Sequence, residues 1–132
     1  MNNKALILIL VVMFQFVACG EKATALSQCF TVEVKKPELK QLITSIEEFS
    51  SLYNLHQDDR SKGLSELMGR VVIFITYNDG PPIQNILILK NTGSGFIVEV
   101  SSLLPDGAIC KGFKNRFLPE LRDNFEVVLN SK

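Results

Sequence analysis

A single histidine, His56, limits the chemistry open to this chain of 132 residues. Without a second one, no histidine pair can hold a metal, and imidazole acid–base work would rest on one ring. Asp58, Asp59 and Arg60 follow it closely. Neighbouring carboxylates could grip a cation or pass a proton, yet their spacing is not that of a calcium loop, and on a polar stretch such groups are ordinarily just solvated. Ser61, Ser65, Ser94, Ser101 and Ser102 include no Gly-x-Ser-x-Gly elbow, so a serine triad would have to assemble in space around His56. His56 falls instead at the expected end of a helix, where a cation is favoured by the C-terminal dipole. Gly93-Ser94-Gly95 is too short for a phosphate loop and lacks its lysine, so it reads as a turn. Cys29 and Cys110 have neither Cys-x-x-Cys spacing nor a base beside them in sequence. These residues define no catalytic set, no cofactor site and no metal site.

The third cysteine stands in a different context. From Ala5 to Val17 only Gln15 is polar, Lys4 and the amino terminus put positive charge in front, and Phe16-Val17-Ala18-Cys19-Gly20 closes the run. A helix of that length rises about 20 Å, too little for a hydrocarbon core of ~30 Å, but it suits the apolar part of a secretory signal. The junction resembles the lipobox of bacterial lipoproteins, with Val17, Ala18 and Cys19 in place and Phe16 where leucine is usual. The resemblance implies cleavage after Ala18, a diacylglyceryl group on the Cys19 thiol and acylation, such as palmitate, of the new amino terminus. Gly20, rather than aspartate, after the cysteine implies the outer membrane, facing the periplasm, if the source is Gram-negative. Two alternatives stay open: cleavage after Ala23-Thr24-Ala25, which would release a soluble periplasmic or secreted chain starting at Leu26, and an apolar N-terminal helix that is never cleaved.

The expected organisation is a signal peptide over residues 1–18, a tether over 19–27 and one domain over 28–132. About 114 residues remain after cleavage, enough for a single core. Lys plus Arg and Asp plus Glu number 14 each, and neither sign forms a block. That balance excludes the basic stripe a nucleic-acid partner requires and the polybasic patch of an electrostatic membrane binder. Membrane attachment would rest on lipid at Cys19, for which two or more acyl chains suffice. In an oxidising compartment the remaining pair, Cys29 and Cys110, is expected to form a disulfide. Closing a loop of about 80 residues stabilises by roughly 4 to 4.5 kcal/mol in the chain-entropy limit. Two buried free thiols are the alternative.

The elements that must position these residues follow from periodicity. Gln28 to Val34 alternates, with Phe30, Val32 and Val34 on one face and Cys29, Thr31 and Glu33 on the other, as in a half-buried strand. Leu39, Leu42, Ile43, Ile46, Phe49, Leu52 and Tyr53 recur at steps of three and four, which predicts an amphipathic helix over 38–55 behind Pro37. Residues 56–69 read as a polar loop with one helical turn. Arg70 to Tyr77 reads as a central strand buried on both faces. Strands over 86–90 and 96–103 complete an antiparallel meander, separated by turns at Asn78–Pro82 and Asn91–Gly95. Phe113, Phe117, Leu118, Leu121 and Phe125 have helical spacing, but Pro119 predicts a break or kink near Leu118. Glu126 to Leu129 closes as a short strand.

The order β-α-β-β-β-α-(β) predicts an α+β fold: a largely antiparallel sheet of four to five strands with two helices on one face, related to ferredoxin-like topology. The other face is then left for water or a partner. Without a catalytic set, the function expected is that of a lipid-anchored, non-enzymatic envelope protein that binds another protein or serves a structural role, such as an assembly accessory, an inhibitor or an immunity-like protein. A small secreted enzyme with a site invisible in sequence is the alternative.

Overall fold

The computed structural model describes residues 26–104 and 106–129. Cys19 and the expected signal peptide lie outside the described residues. The chain begins with β1 (Ser27–Lys35) and continues into helix α1 (Leu39–Ser51). Leu42, Ile46 and Phe49 form the buried stripe of α1. The helix is shorter than its apolar pattern, because Asn54 takes the left-handed conformation at φ 57 and the Leu55 amide returns to the Ser50 carbonyl at 3.1 Å. The next strand, β2 (His56–Asp59), pairs antiparallel with β3 (Phe74–Asn78), and helix α2 (Ser61–Met68) lies between them. β4 (Asn85–Asn91) and β5 (Gly95–Ser102) follow as a meander. A helical stretch then runs as α3 (Ala108–Gly112), a π turn (Phe113–Phe117) and α4 (Leu118–Asn124) before β6 (Glu126–Leu129).

The fold is α+β, with a six-stranded sheet in the order β2-β3-β4-β5-β1-β6 and every pairing antiparallel. Six strands replace the expected four to five, and three helical stretches replace two. The additions are β2 and α2, which fall where the sequence reads as a loop. His-Gln-Asp-Asp carries no apolar alternation because β2 is an edge strand, where polar residues protect the exposed backbone. α2 buries none of its residues in the core. It is held by two serines one turn apart. Ser61 Oγ accepts from the Phe74 amide at 2.9 Å, and Ser65 Oγ accepts from the Val72 amide at 2.8 Å while donating to the Val72 carbonyl at 2.9 Å.

One face of the sheet makes the core. Val32, Val34, Ile75, Tyr77, Leu87, Leu89, Val98 and Val100 are buried there beneath α1 and the C-terminal helical stretch. An aromatic cluster joins the two helical layers: Phe49 stacks on Phe117 with centroids 4.6 Å apart and meets Phe113 edge-on at 5.9 Å, while Phe30 of β1 stacks on Phe113 at 5.4 Å. The strand expected over residues 70–77 is corrected. Only Phe74–Asn78 joins the ladder, second from the edge, with Ile75 and Tyr77 buried on one face alone.

Pro119 does not break the C-terminal helix. The turn before it widens, and the Leu118 amide reaches back to the Phe113 carbonyl in π fashion. Proline supplies no amide to the next bond and its ring needs room against the preceding turn, so a π turn just upstream absorbs both demands. Phe113, Phe117, Leu118 and Leu121 all remain buried as a result.

Candidate functional site

His56, Asp58, Asp59 and Arg60 are close in sequence but do not converge. Strand geometry sends His56 and Asp58 to one face of β2, and Gln57 and Asp59 to the other. Asp58 pairs with Arg60 at 3.0 Å in solvent. Asp59 Oδ1 accepts from the Ser61 amide at 2.9 Å and so turns the chain into α2. The reading of His56 as the terminal residue of a helix is corrected, since it opens β2 opposite Asn78, several residues beyond α1.

Four of the five serines have structural partners. Ser61 and Ser65 anchor α2, Ser94 donates to Glu33 Oε2 at 3.3 Å, and Ser102 donates to Asn85 Oδ1 at 2.6 Å. Among the described residues no group of three or more His, Cys, Asp or Glu side chains could hold a metal ion. Among the same residues no helix is long and apolar enough to cross a membrane.

Cys29 and Cys110 form a disulfide with Cα atoms 6.0 Å apart, joining β1 to α3 across 81 residues of sequence. The geometry depends on an irregularity in β1. Register with β5 shifts between Gln28, opposite Ser101, and Phe30, opposite Val100, so Cys29 is an extra residue in the strand. A bulge suspends alternation, and Cys29 packs against the core beside Phe30 instead of pointing away from it. Strict period-two alternation puts Cys29 on the far face, from which a bridge to a helix on the core side is impossible.

The far face of the sheet is the candidate site. Register places Phe74, Lys90, Ile97 and Glu33 in one row across β3, β4, β5 and β1, and Thr76, Ile88, Glu99 and Thr31 in the next, with Ile86 beside Ile88 on β4. Phe74, Ile86, Ile88 and Ile97 are half-buried by their neighbours and stand outside the core cluster. Two ion pairs cross this face, Lys90–Glu99 at 3.1 Å and Lys35–Glu33 at 3.2 Å. Phe74, Ile88 and Ile97 run diagonally across three strands, and the Lys90–Glu99 pair passes between Ile88 and Ile97, so the surface interleaves apolar side chains with paired charges. In the sequence this surface is legible only as the sheet face opposite the two expected helices. The rest appears once register is known.

Two groups show a shifted ionisation. Tyr77, on the core face, is pushed above the ordinary phenol range, first by burial and then by the charges of Glu47 and Asp59, against a hydrogen bond from Gln57 Nε2 at 3.1 Å. Asp79 is held below the ordinary carboxylate range. Burial alone would raise it, but amides of Asn85 at 3.0 Å and Gln84 at 2.8 Å and the Asn85 side chain at 2.8 Å outweigh that. Both are structural groups away from the open face.

The fold and this face define a disulfide-bridged α+β domain with a sheet covered on one side. No family model matches the chain, and no curated protein or solved structure is significantly similar to it.

Proposed function

We propose that this is a lipid-anchored protein of the bacterial cell envelope that works without catalysis, by binding another protein through the open face of its sheet. The observation that carries the reading is the diagonal run of Phe74, Ile88 and Ile97, with Ile86 beside Ile88, apolar side chains that the fold leaves out of its core. The helices pack over the core on the other face, and half-buried apolar side chains grouped on the open face favour contact with a partner. The disulfide suits an oxidising compartment. Lipid on Cys19 would hold the domain at the membrane, at the outer membrane in a Gram-negative cell. An assembly accessory, an inhibitor and an immunity-like protein all fit this description.

A photo-crosslinking side chain at position 88 tests the binding face. The expected result is one discrete adduct in intact cells, lost when Ile97→Asp is added, and absent when the same probe replaces Lys62 on α2. Equal labelling from positions 62 and 88, or none from 88, counts against the reading. For the anchor, intact mass of the membrane-extracted protein with and without Cys19→Ser is decisive. A lipid-sized mass difference is expected, and an unmodified chain starting at Leu26 would refute it.

A further inference from the structure

The sheet has two apolar tips, and they differ in their distance from the point where the chain enters. β1 begins at Ser27 opposite Ser102, which in turn lies opposite Asn85. The loops beyond these strand ends are joined by the Leu103 amide donating to the Gln84 carbonyl at 2.9 Å. They carry Ile83 and Leu104 at 42% and 69% exposure, beside half-buried Leu26. At the opposite end, the Asn91 side chain donates to the Val71 carbonyl at 3.2 Å. Leu67 and Val71 protrude there at 82% and 76% exposure.

We infer that the Ile83–Leu104 tip rests on the lipid surface, with both side chains in the headgroup and upper acyl region. This rests on the lipid anchor at Cys19 proposed above. Seven residues from Cys19 to Leu26 reach at most about 25 Å when fully extended. The strands themselves run about 25 Å from tip to tip. A flexible chain of seven residues spans only about 15 Å on average, so a lipid on Cys19 keeps the Ser27 end nearer the bilayer, and the Leu67–Val71 tip could reach it only with that chain drawn out to its limit. An apolar tip held against a bilayer surface gains by entering it, whereas the same side chains in water would stay hydrated. In this orientation the strands stand upright and the open face looks sideways, accessible to a partner.

The chain contains no tryptophan, so single reporters are clean. Full-length lipidated Ile83→Trp, Leu104→Trp and Leu67→Trp are reconstituted into phosphatidylethanolamine–phosphatidylglycerol vesicles, with or without brominated acyl chains. Flotation reads the anchor, and emission reads the tip. The expected result is flotation of all three, with blue-shifted emission and loss of most intensity to bromine for positions 83 and 104 and little change for 67. Flotation with unquenched tryptophan at both 83 and 104, or quenching at 67 alone, overturns the orientation while leaving the anchor intact. Protein that does not float removes the anchor and the orientation together.

Discussion

The phenol of Tyr53 lies over Gly112, in the space that any Cβ at residue 112 would occupy. The contact ties the turn after α1 to the start of the C-terminal helical stretch, and Tyr53 is braced from behind by Phe49 at 5.0 Å. Gly112→Ala forces the ring aside. Overpacking of this kind costs about 1–3 kcal/mol, of which alanine's better helix propensity returns up to about 1. With that return in full, the expected net loss is up to about 2 kcal/mol by urea unfolding. Tyr53→Leu clears the space, so the double variant should lose less than the two single losses combined, and strict additivity would contradict the contact.

Reduction of the Cys29–Cys110 bridge, or Cys110→Ser, should lower stability by up to about 4.5 kcal/mol, the chain-entropy value for a loop of this size. The measurement is the free energy of urea unfolding with and without reductant, with the m-value fitted for each because opening the bridge expands the unfolded chain. A difference below about 1 kcal/mol would mean that the bridge adds nothing the core has not already secured.

Gly95 and Gly93 offer a matched comparison within one hairpin. A Cβ at 95 would run into the Val34 carbonyl and the Lys35 Cα, backbone of β1 that cannot step aside, whereas a Cβ at 93 meets open space. Gly95→Ala should cost about 2 kcal/mol or more by prying β5 from β1, and Gly93→Ala less than about 0.5. Thermal unfolding of the pair checks this, and equal effects would refute it.

The Asp79 carboxylate closes the β3–β4 turn and is held below its ordinary range by the hydrogen bonds it accepts. A depressed folded value means that its contribution is complete above the ordinary carboxylate pKa and is lost as pH falls through the folded value. Hydrogen bonds to a charged group are worth about 1.5–3 kcal/mol, less where water reaches the site. Asp79→Ala should therefore cost about 1–2 kcal/mol at neutral pH, and its deficit should shrink below about pH 4. A deficit that stays constant down to strongly acidic pH would assign the loss to packing.

What was legible in the sequence follows from where each element sits. β1, α1 and the meander strands each bury one face, so Val32, Leu42, Ile46, Leu87 and Val98 leave a period that can be read directly. β2 was invisible because an edge strand of four polar residues has no apolar face, and α2 because it is tied down by Ser61 and Ser65 hydroxyls instead of a buried stripe. Pro119 predicts a break or kink, whereas the chain stays helical through one widened turn, within which Phe113 and Phe117 pack together. The cysteine pair was legible as arithmetic. The bulge that makes it possible was not, since an extra residue in a strand shows only against its partner's register. The same limit applied to the open face, whose four apolar side chains come from three strands.

The bulge at Cys29 has a mechanical consequence. Tension on the polypeptide upstream of β1 reaches the sheet at Ser27, and two residues later it meets a covalent branch point. From there the load passes through sulfur into the helical stretch packed across the core, and the hydrogen-bond ladder between β1 and β5 is bypassed. Under a pull between the two chain ends, the residues between Cys29 and Cys110 lie outside the load path, and only the segments before Cys29 and after Cys110 can extend.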